Sequence, residues 1–346
     1  MLICQDTRGG RRCAVENRNN AQFCRRCGAS LRSALRLQDP EVQVGRYQIV
    51  RTLGHGGFGA VYEAEDGAEP GRMVAIKETF DPSSIRSFQG EFAILSALRH
   101  PNLPRYFEMF EEEGNGYLVM ELVPGQSLLD VLDKQSGPLL ESQVLGFALQ
   151  LCDVLSYLHA QNPPIIHRDI KPANIRLTPE GLIKLVDFGL LKQGVDATQN
   201  SRRGLTPTYA PIEQWGASEQ HTSPRSDIYS VGATLYHLLT GEAPLTSAER
   251  ASSSSDPLLR PRKRNSSLSH HVADAVTQAV ALAQEQRFAN AAELKRALMG
   301  MGQVTVSVRP QGVITAHSGG ALGVAFSPDG ERLASDGADG AVRVWS

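Results

Sequence analysis

The apolar positions of this chain change period partway along it. Three runs, YQIVRTL from Tyr47, AVYEAED from Ala60 and RMVAIKE from Arg72, are separated by glycine-bearing turns and predict strands. Ile85, Phe88, Phe92, Leu95 and Leu98 then recur at spacings of three or four and predict a helix. RYFEMFE and GYLVMELV predict two further strands. After Gly125 the pattern turns helical. Val144, Ala148, Leu151, Leu155 and Leu158 form one stripe, and Ile228, Val231, Leu235 and Leu238 another. VADAVTQAVALA and AAELKRALM supply the last helices. A small β-rich half therefore precedes a larger α-rich half, and the cleft between them is a natural ligand site.

The flanks differ in texture. Residues 1–36 are rich in Cys and Arg and poor in apolar side chains, and 37–46, around Gln38-Asp39-Pro40-Glu41, read as a linker. The globular pattern occupies 47–301, a second linker 302–312, and a tail 313–346. A chain of 346 residues has room for roughly two to three domains and needs no disulfide staples. Its 41% hydrophobic and 21% charged residues place it among soluble globular proteins. A formal net charge of −2 gives no field toward nucleic acid or a membrane, so neither is expected as a partner. No apolar run nears the roughly 18 residues of a span, and the start has no apolar stretch of a secretory signal. Cys4, Cys13, Cys24 and Cys27 cluster at the start, and Cys152 stands alone in a helical pattern. Reduced thiols in a cytoplasmic setting fit this better than a disulfide framework.

Gly54-His55-Gly56-Gly57-Phe58-Gly59-Ala60-Val61 lies between two predicted strands. Glycines let a backbone turn sharply and approach phosphates. A dinucleotide fold would need a helix after such a run; a strand follows, which favours a phosphate-covering hairpin. Alone, the run is equally an ordinary glycine hairpin. Val74-Ala75-Ile76-Lys77 puts a lysine inside an apolar strand, where it needs a partner. Glu91, on the next helix, is the expected one, and the pair could hold the α- and β-phosphates of ATP. A surface salt bridge is the plainer alternative. The loop His167-Arg168-Asp169-Ile170-Lys171-Pro172-Ala173-Asn174 is far more specific. Asp169 is placed to accept a hydroxyl proton, Lys171 to neutralise a transferring phosphoryl group, and Asn174 to hold Mg²⁺. Asp187-Phe188-Gly189 follows a predicted strand, and Asp187 offers a hard oxygen to the same metal.

In this order the motifs resemble the Hanks-type protein kinase family, over about Tyr47 to Leu298. The resemblance implies an α+β, two-lobed kinase fold, with a β-rich N-lobe over an α-rich C-lobe. It implies ATP and Mg²⁺ as cofactors and transfer of the γ-phosphoryl group to Ser or Thr of protein substrates in bacterial signalling. Lys77, Asp169, Lys171, Asn174 and Asp187 would be catalytic. Leu53, Gly54, Gly56, Gly59, Val61, Ala75, Lys77, Glu91, Met120, Glu121 and Val123 would surround the nucleotide, with Met120 as gatekeeper ahead of a hinge that binds adenine through its backbone. Ala210-Pro211-Ile212-Glu213 departs from the usual A-P-E by one Ile; Glu213 would still pair with Arg287. Asp227 resembles the family's buried brace of the catalytic loop. Lys171, two residues after Asp169, resembles Ser/Thr rather than Tyr kinases. Thr206 resembles the Thr that meets the substrate segment, and Thr198, Ser201, Thr206 and Thr208 are candidates for phosphorylation beside Arg168. A pseudokinase scaffold and a small-molecule phosphotransferase of related fold are the rival readings. The intact catalytic residues oppose the first, and the long segment before Ala210 the second.

Cys24-Arg25-Arg26-Cys27-Gly28 makes a good metal knuckle, whereas Cys4 and Cys13 are too far apart in sequence to make another. The segment nonetheless resembles bacterial zinc-ribbon ends, and the four cysteines are expected to bind one Zn²⁺ in a head separate from the cleft. A free-thiol, Arg-rich arm is the alternative. The tail resembles a single WD40 repeat, with His317, Asp339 and Trp345 at its hydrogen-bonded positions and a turn at Ser327-Pro328-Asp329-Gly330. A propeller needs several blades. One blade of about four strands is expected to be a truncated remnant, or else a surface for protein partners.

Overall fold

The computed structural model describes residues 1–6, 13, 15–32, 34–55, 59–79, 85–188, 207–215, 222–301, 317–327 and 332–345, with backbone only at 87 and 88. Gly56, Gly189, Thr198, Ser201, Thr206, the 302–312 linker and the 328–330 turn, all singled out above, lie outside the described residues. The chain divides into two units, Met1–Gly302 and Gln303–Ser346.

The first unit opens with three two-residue strands, β1 (Leu2–Ile3), β2 (Glu16–Asn17) and β3 (Leu35–Arg36), in the order β2-β1-β3. Then come β4 (Gln43–Val44), β5 (Tyr47–His55), β6 (Gly59–Asp66), β7 (Met73–Thr79), α1 (Ile85–Leu95), β8 (Tyr106–Glu112) and β9 (Asn115–Glu121). The strands form one antiparallel sheet, β4-β5-β6-β7-β9-β8. Strand alternation sorts its side chains. On β7, Ala75 joins the large core with Met120, while Val74 and Ile76 join a second core with Tyr62 and Val119 on the other face.

That second core includes Ile3 and Leu37 of the N-terminal segment. The segment thus packs on the outer face of the N-lobe sheet, opposite the face that carries Ala75 and Met120. The supposed linker takes part. Gln38 Nε2 donates to Glu78 at 3.0 Å, and Gln38 N donates to the Tyr62 hydroxyl at 3.2 Å. Glu78 is buried and also accepts from Tyr62, Tyr117 and Asn115 at 2.7–3.0 Å. A buried carboxylate needs such donors, so docking of the segment completes its shell. The apolar content of residues 1–36 was too low to announce a docked face.

The C-lobe follows: β10 (Gln126–Ser127), α2 (Leu128–Gln135), α3 (Glu141–His159), β11 (Ile175–Leu177), β12 (Ile183–Leu185), α4 (Pro224–Thr240), α5 (Ser247–Ala251), α6 (Pro261–Arg264), α7 (His270–Ala279) and α8 (Ala291–Leu298). The predicted stripe of α3 is buried throughout. In α4 burial extends all round, as for a central helix. Ser223 caps its start with a capping box, and Gly241 ends it at φ 75°. Gly232 lets α7 approach: a Cβ there would lie 2.6 Å from the Ala279 Cβ. Among the described residues no helix is long and apolar enough to cross a membrane.

Of the blade of about four strands expected, the described residues of the second unit hold three antiparallel ones: β13 (Ala321–Phe326), β14 (Leu333–Gly337) and β15 (Val342–Trp345). His317 Nδ1 meets Asp339 at 2.8 Å and its Nε2 meets Ser335 Oγ at 2.9 Å, while Trp345 Nε1 donates to the same Oγ at 3.2 Å. Ser335, which the sequence reading did not name, joins the three anticipated residues. Leu322, Val324, Phe326, Val342 and Val344 are exposed.

Candidate active site

The loop between α3 and β11 is fixed from beneath. Asp227, fully buried in the first turn of α4, accepts from His167 N and Arg168 N at 2.9 Å each, and meets His159 Nε2 at 2.9 Å. These bonds hold Arg168 in the left-handed region at φ 69°, a conformation costly for a side-chain-bearing residue. Asp227 is thus the anticipated brace; its contact with His159 is a tertiary one that no spacing disclosed.

The turn Pro172–Asn174 folds the loop back on itself. Asn174 Nδ2 donates to Asp169 O at 2.9 Å and to Asp169 Oδ2 at 3.0 Å, and Lys171 Nζ donates to that same Oδ2 at 3.1 Å. Val186 N donates to Asn174 O at 2.9 Å, which ties the loop to the chain entering Asp187. Asp187 is also left-handed, at φ 59°. Its Oδ1 lies 3.5 Å from Lys77 Nζ. Phe188 stacks obliquely on His167, with ring centroids 4.5 Å apart.

Lys77 reaches this place from β7. Burial alone would push its ammonium down; the charges of Glu91 and Asp187 outweigh that and hold it above its usual value. Glu91, from α1, is buried, which pushes its carboxyl up against the pull of Lys77. The ion pair within 4.0 Å runs to Asp187, and Glu91 couples to Lys77 at longer range.

Val61 pairs with Lys77 across the sheet and Ala75 with Met120, so these anticipated residues neighbour the lysine. Glu121 N is taken by Arg105 O at 2.8 Å, and its carboxylate is held by Lys184 Nζ at 2.8 Å. Val123 follows, buried. Leu53, partly exposed, and Gly54 lie near the end of β5, where Gly54 pairs with Val61. At Gly59 any Cβ would fall 1.9 Å from Glu78 O, so only glycine fits. Below the cleft, Glu213 and Arg287 form the anticipated pair at 2.7 and 3.2 Å with both side chains fully buried.

Away from the cleft, the four N-terminal cysteines converge. Their Sγ atoms lie within 4.8 Å of one another, with Cys4–Cys27 at 3.6 Å and Cys13–Cys24 at 3.7 Å. Cys4 N donates to Val15 O at 3.1 Å and Cys13 N to Asp6 O at 2.9 Å. This local pairing draws together the half that looked too widely spaced. The cluster could hold a metal ion.

A β-rich lobe over an α-rich lobe, joined by a loop of this kind, is the protein kinase fold. The protein kinase domain family matches residues 47–299, and the WD domain, G-beta repeat family matches 308–346. The chain belongs to the protein kinase family. It is 36% identical over 251 residues to serine/threonine-protein kinase B of Synechocystis sp., covering 66% of this chain and 41% of that protein. To serine/threonine-protein kinase PknA of Mycobacterium tuberculosis it is 38% identical over 213 residues, 58% of this chain and 48% of the other. Among solved structures, the apo form of PpkA-294 superposes with a TM-score of 0.66 at 26% identity, over 76% of this chain and 99% of that one. The chain thus spans under half the length of these curated relatives.

Proposed function

We infer that this chain is a serine/threonine protein kinase that moves the γ-phosphoryl group of ATP to protein hydroxyls. The observation that carries this is the convergence of Lys171 Nζ and Asn174 Nδ2 on one carboxylate oxygen of Asp169. That arrangement orients Asp169 to accept the proton of an attacking hydroxyl, while Lys171 offsets charge on the transferring group. Lys77, held charged, is suited to the α- and β-phosphates. Asn174 and Asp187 offer hard oxygens fit for Mg²⁺, which when bound neutralises phosphate charge. Leu53, Gly54, Gly56, Gly59, Val61, Ala75 and Met120 would enclose the nucleotide. With Glu121 N already bonded, adenine would be met by Glu121 O and the Val123 backbone. The names of the curated relatives favour Ser/Thr over Tyr. Incubation with ATP and mixed protein substrates should yield phosphoserine and phosphothreonine. Phosphate found only on small molecules would replace this reading with the phosphotransferase one.

The cysteine cluster is read as a Zn²⁺ site. A tetrahedral zinc–thiolate centre places sulfurs about 3.8 Å apart, close to the spacings here. The donor set is that of a structural zinc centre: four thiols whose Sγ atoms lie within 4.8 Å of one another. Such thiols belong in a reducing, cytoplasmic setting. Metal analysis should find about one Zn²⁺ per chain. A content near zero, after purification in reducing buffer without chelator, would rule the site out.

Control by phosphorylation rests on Arg168. Burial pushes its guanidinium down, the Asp227 charge opposes this, and its buried Nε has no hydrogen-bond partner among the described residues. A phosphate on the segment before Ala210, of charge about −2, would supply a partner. After incubation with ATP, mass spectrometry should find a phosphopeptide spanning 190–209, with Thr198, Ser201, Thr206 and Thr208 as candidates. Fully active protein that carries none would defeat this control. Protein substrates, and partners for the exposed strands of the tail, complete the proposal.

A further inference from the structure

Strand β1 is shared by two cores, because successive side chains on a strand point to opposite faces. Leu2 and the following Cys4 are buried with Cys24, Ala29 and Leu31. Ile3, between them, is buried in the outer core of the N-lobe sheet with Tyr62, Ile76 and Val119. The return strand divides in the same way. Ala34 packs against the first group and Leu35 against the second. Leu37 N then donates to Met1 O at 2.8 Å, and the Leu37 side chain enters the sheet core. The first group is too small to hold itself together. Two of its five buried residues are cysteines, and of their partners in the cluster Cys13 is half-buried and Cys27 exposed. A segment of this kind folds when its thiolates share a metal. The second group reaches β7, the strand that carries Lys77 and Glu78, and Gln38 meets Glu78 from the end of the same segment.

We propose that metal binding by the four cysteines and completion of the outer core are one cooperative event. The metal is then a structural cofactor of the sheet that presents Lys77, as well as of the segment that ligates it. The inference deepens the metal reading above and rests on it. A ligand that binds only the folded form stabilises whatever folds with it. Without the metal β1 loses the packing on one of its faces, and a strand of two residues has too few backbone bonds to keep Ile3 in place. Ile3, Leu37 and Gln38 then leave together and uncover Tyr62 and Glu78. Coupling between two sites is reciprocal, so whatever loosens the segment's hold on the sheet also weakens the metal site.

The test is hydrogen exchange on the full chain, zinc-loaded and after stripping with a chelator in reducing buffer. Stripping should speed exchange in residues 59–66 and 73–79 about tenfold or more, the scale set by uncovering side chains the size of Ile3 and Leu37. Leu37→Ala touches no cysteine, yet it should raise the Kd for Zn²⁺ about tenfold, read by competition with a chromophoric chelator. Gln38→Ala is the milder variant, for use where Leu37→Ala does not fold, and should raise that Kd about threefold. Faster exchange confined to residues 1–38, with both strands unchanged, would overturn the coupling while leaving the metal site standing. A zinc Kd that moves in neither variant would do the same. Protein that takes up no zinc would sink the metal reading, and the coupling with it.

Discussion

Asp169→Asn lowers phosphoryl transfer about a thousandfold and leaves the protein folded, because that loss corresponds to roughly 4 kcal/mol of barrier. The replacement has the same shape. Its amide oxygen can still accept from Lys171 Nζ and Asn174 Nδ2, now at 3.1 and 3.0 Å from the carboxylate. What it lacks is the charge that takes up the hydroxyl proton and balances Lys171. The thermal midpoint should therefore stay within about 3 °C of wild type, while γ-phosphate incorporation into a generic protein substrate collapses. Lys77→Met should behave alike, since it removes the cation beside Asp187. Asp169→Asn protein that works at the wild-type rate would dismiss the mechanism, and with it the kinase in favour of a scaffold.

Arg287→Met should cost roughly 3–5 kcal/mol of stability, the usual consequence of stranding a buried charge. Glu213 would keep only the Ser226 hydroxyl, at 2.7 Å, among the partners described for it. Arg287 also donates to Ala281 O, Leu282 O and Arg225 O, so three carbonyls lose a donor as well. Replacing both partners, as Glu213→Leu with Arg287→Met, removes the stranded carboxylate but not those losses, and should recover only part of the stability. Denaturant unfolding measures each step. A loss below about 1 kcal/mol for Arg287→Met would mean that the pair behaves like a surface bridge.

The catalytic loop was legible because its chemistry is local. Asp169, Lys171 and Asn174 stand within six residues and meet through one short turn. The two lobes were legible because strand and helix periods differ so plainly on either side of Gly125. The pairing of Glu213 with Arg287 came only from family resemblance, as nothing near either residue announces the other. The contact of His159 with Asp227 and the nearer approach of Lys77 to Asp187 than to Glu91 are tertiary facts with no periodic signal. Docking of the N-terminal segment escaped notice for a related reason. It depends on single apolar residues, Ile3 and Leu37, and on one amide, Gln38, rather than on a stripe.

Neighbouring residues on β7 serve opposite sides of the sheet. Lys77 turns to Asp187 in the cleft, while Glu78 turns to Tyr62, Tyr117 and Gln38. Sliding this strand by one position would exchange their faces. The ammonium would then enter a shell whose donors serve a carboxylate, and the carboxylate would enter the cleft beside Asp187, a like charge. Misthreaded chains are thus penalised twice for one error. In that register the N-lobe would present a carboxylate where the native strand presents the ammonium to Asp187, so the two adjacent charges together favour the observed pairing.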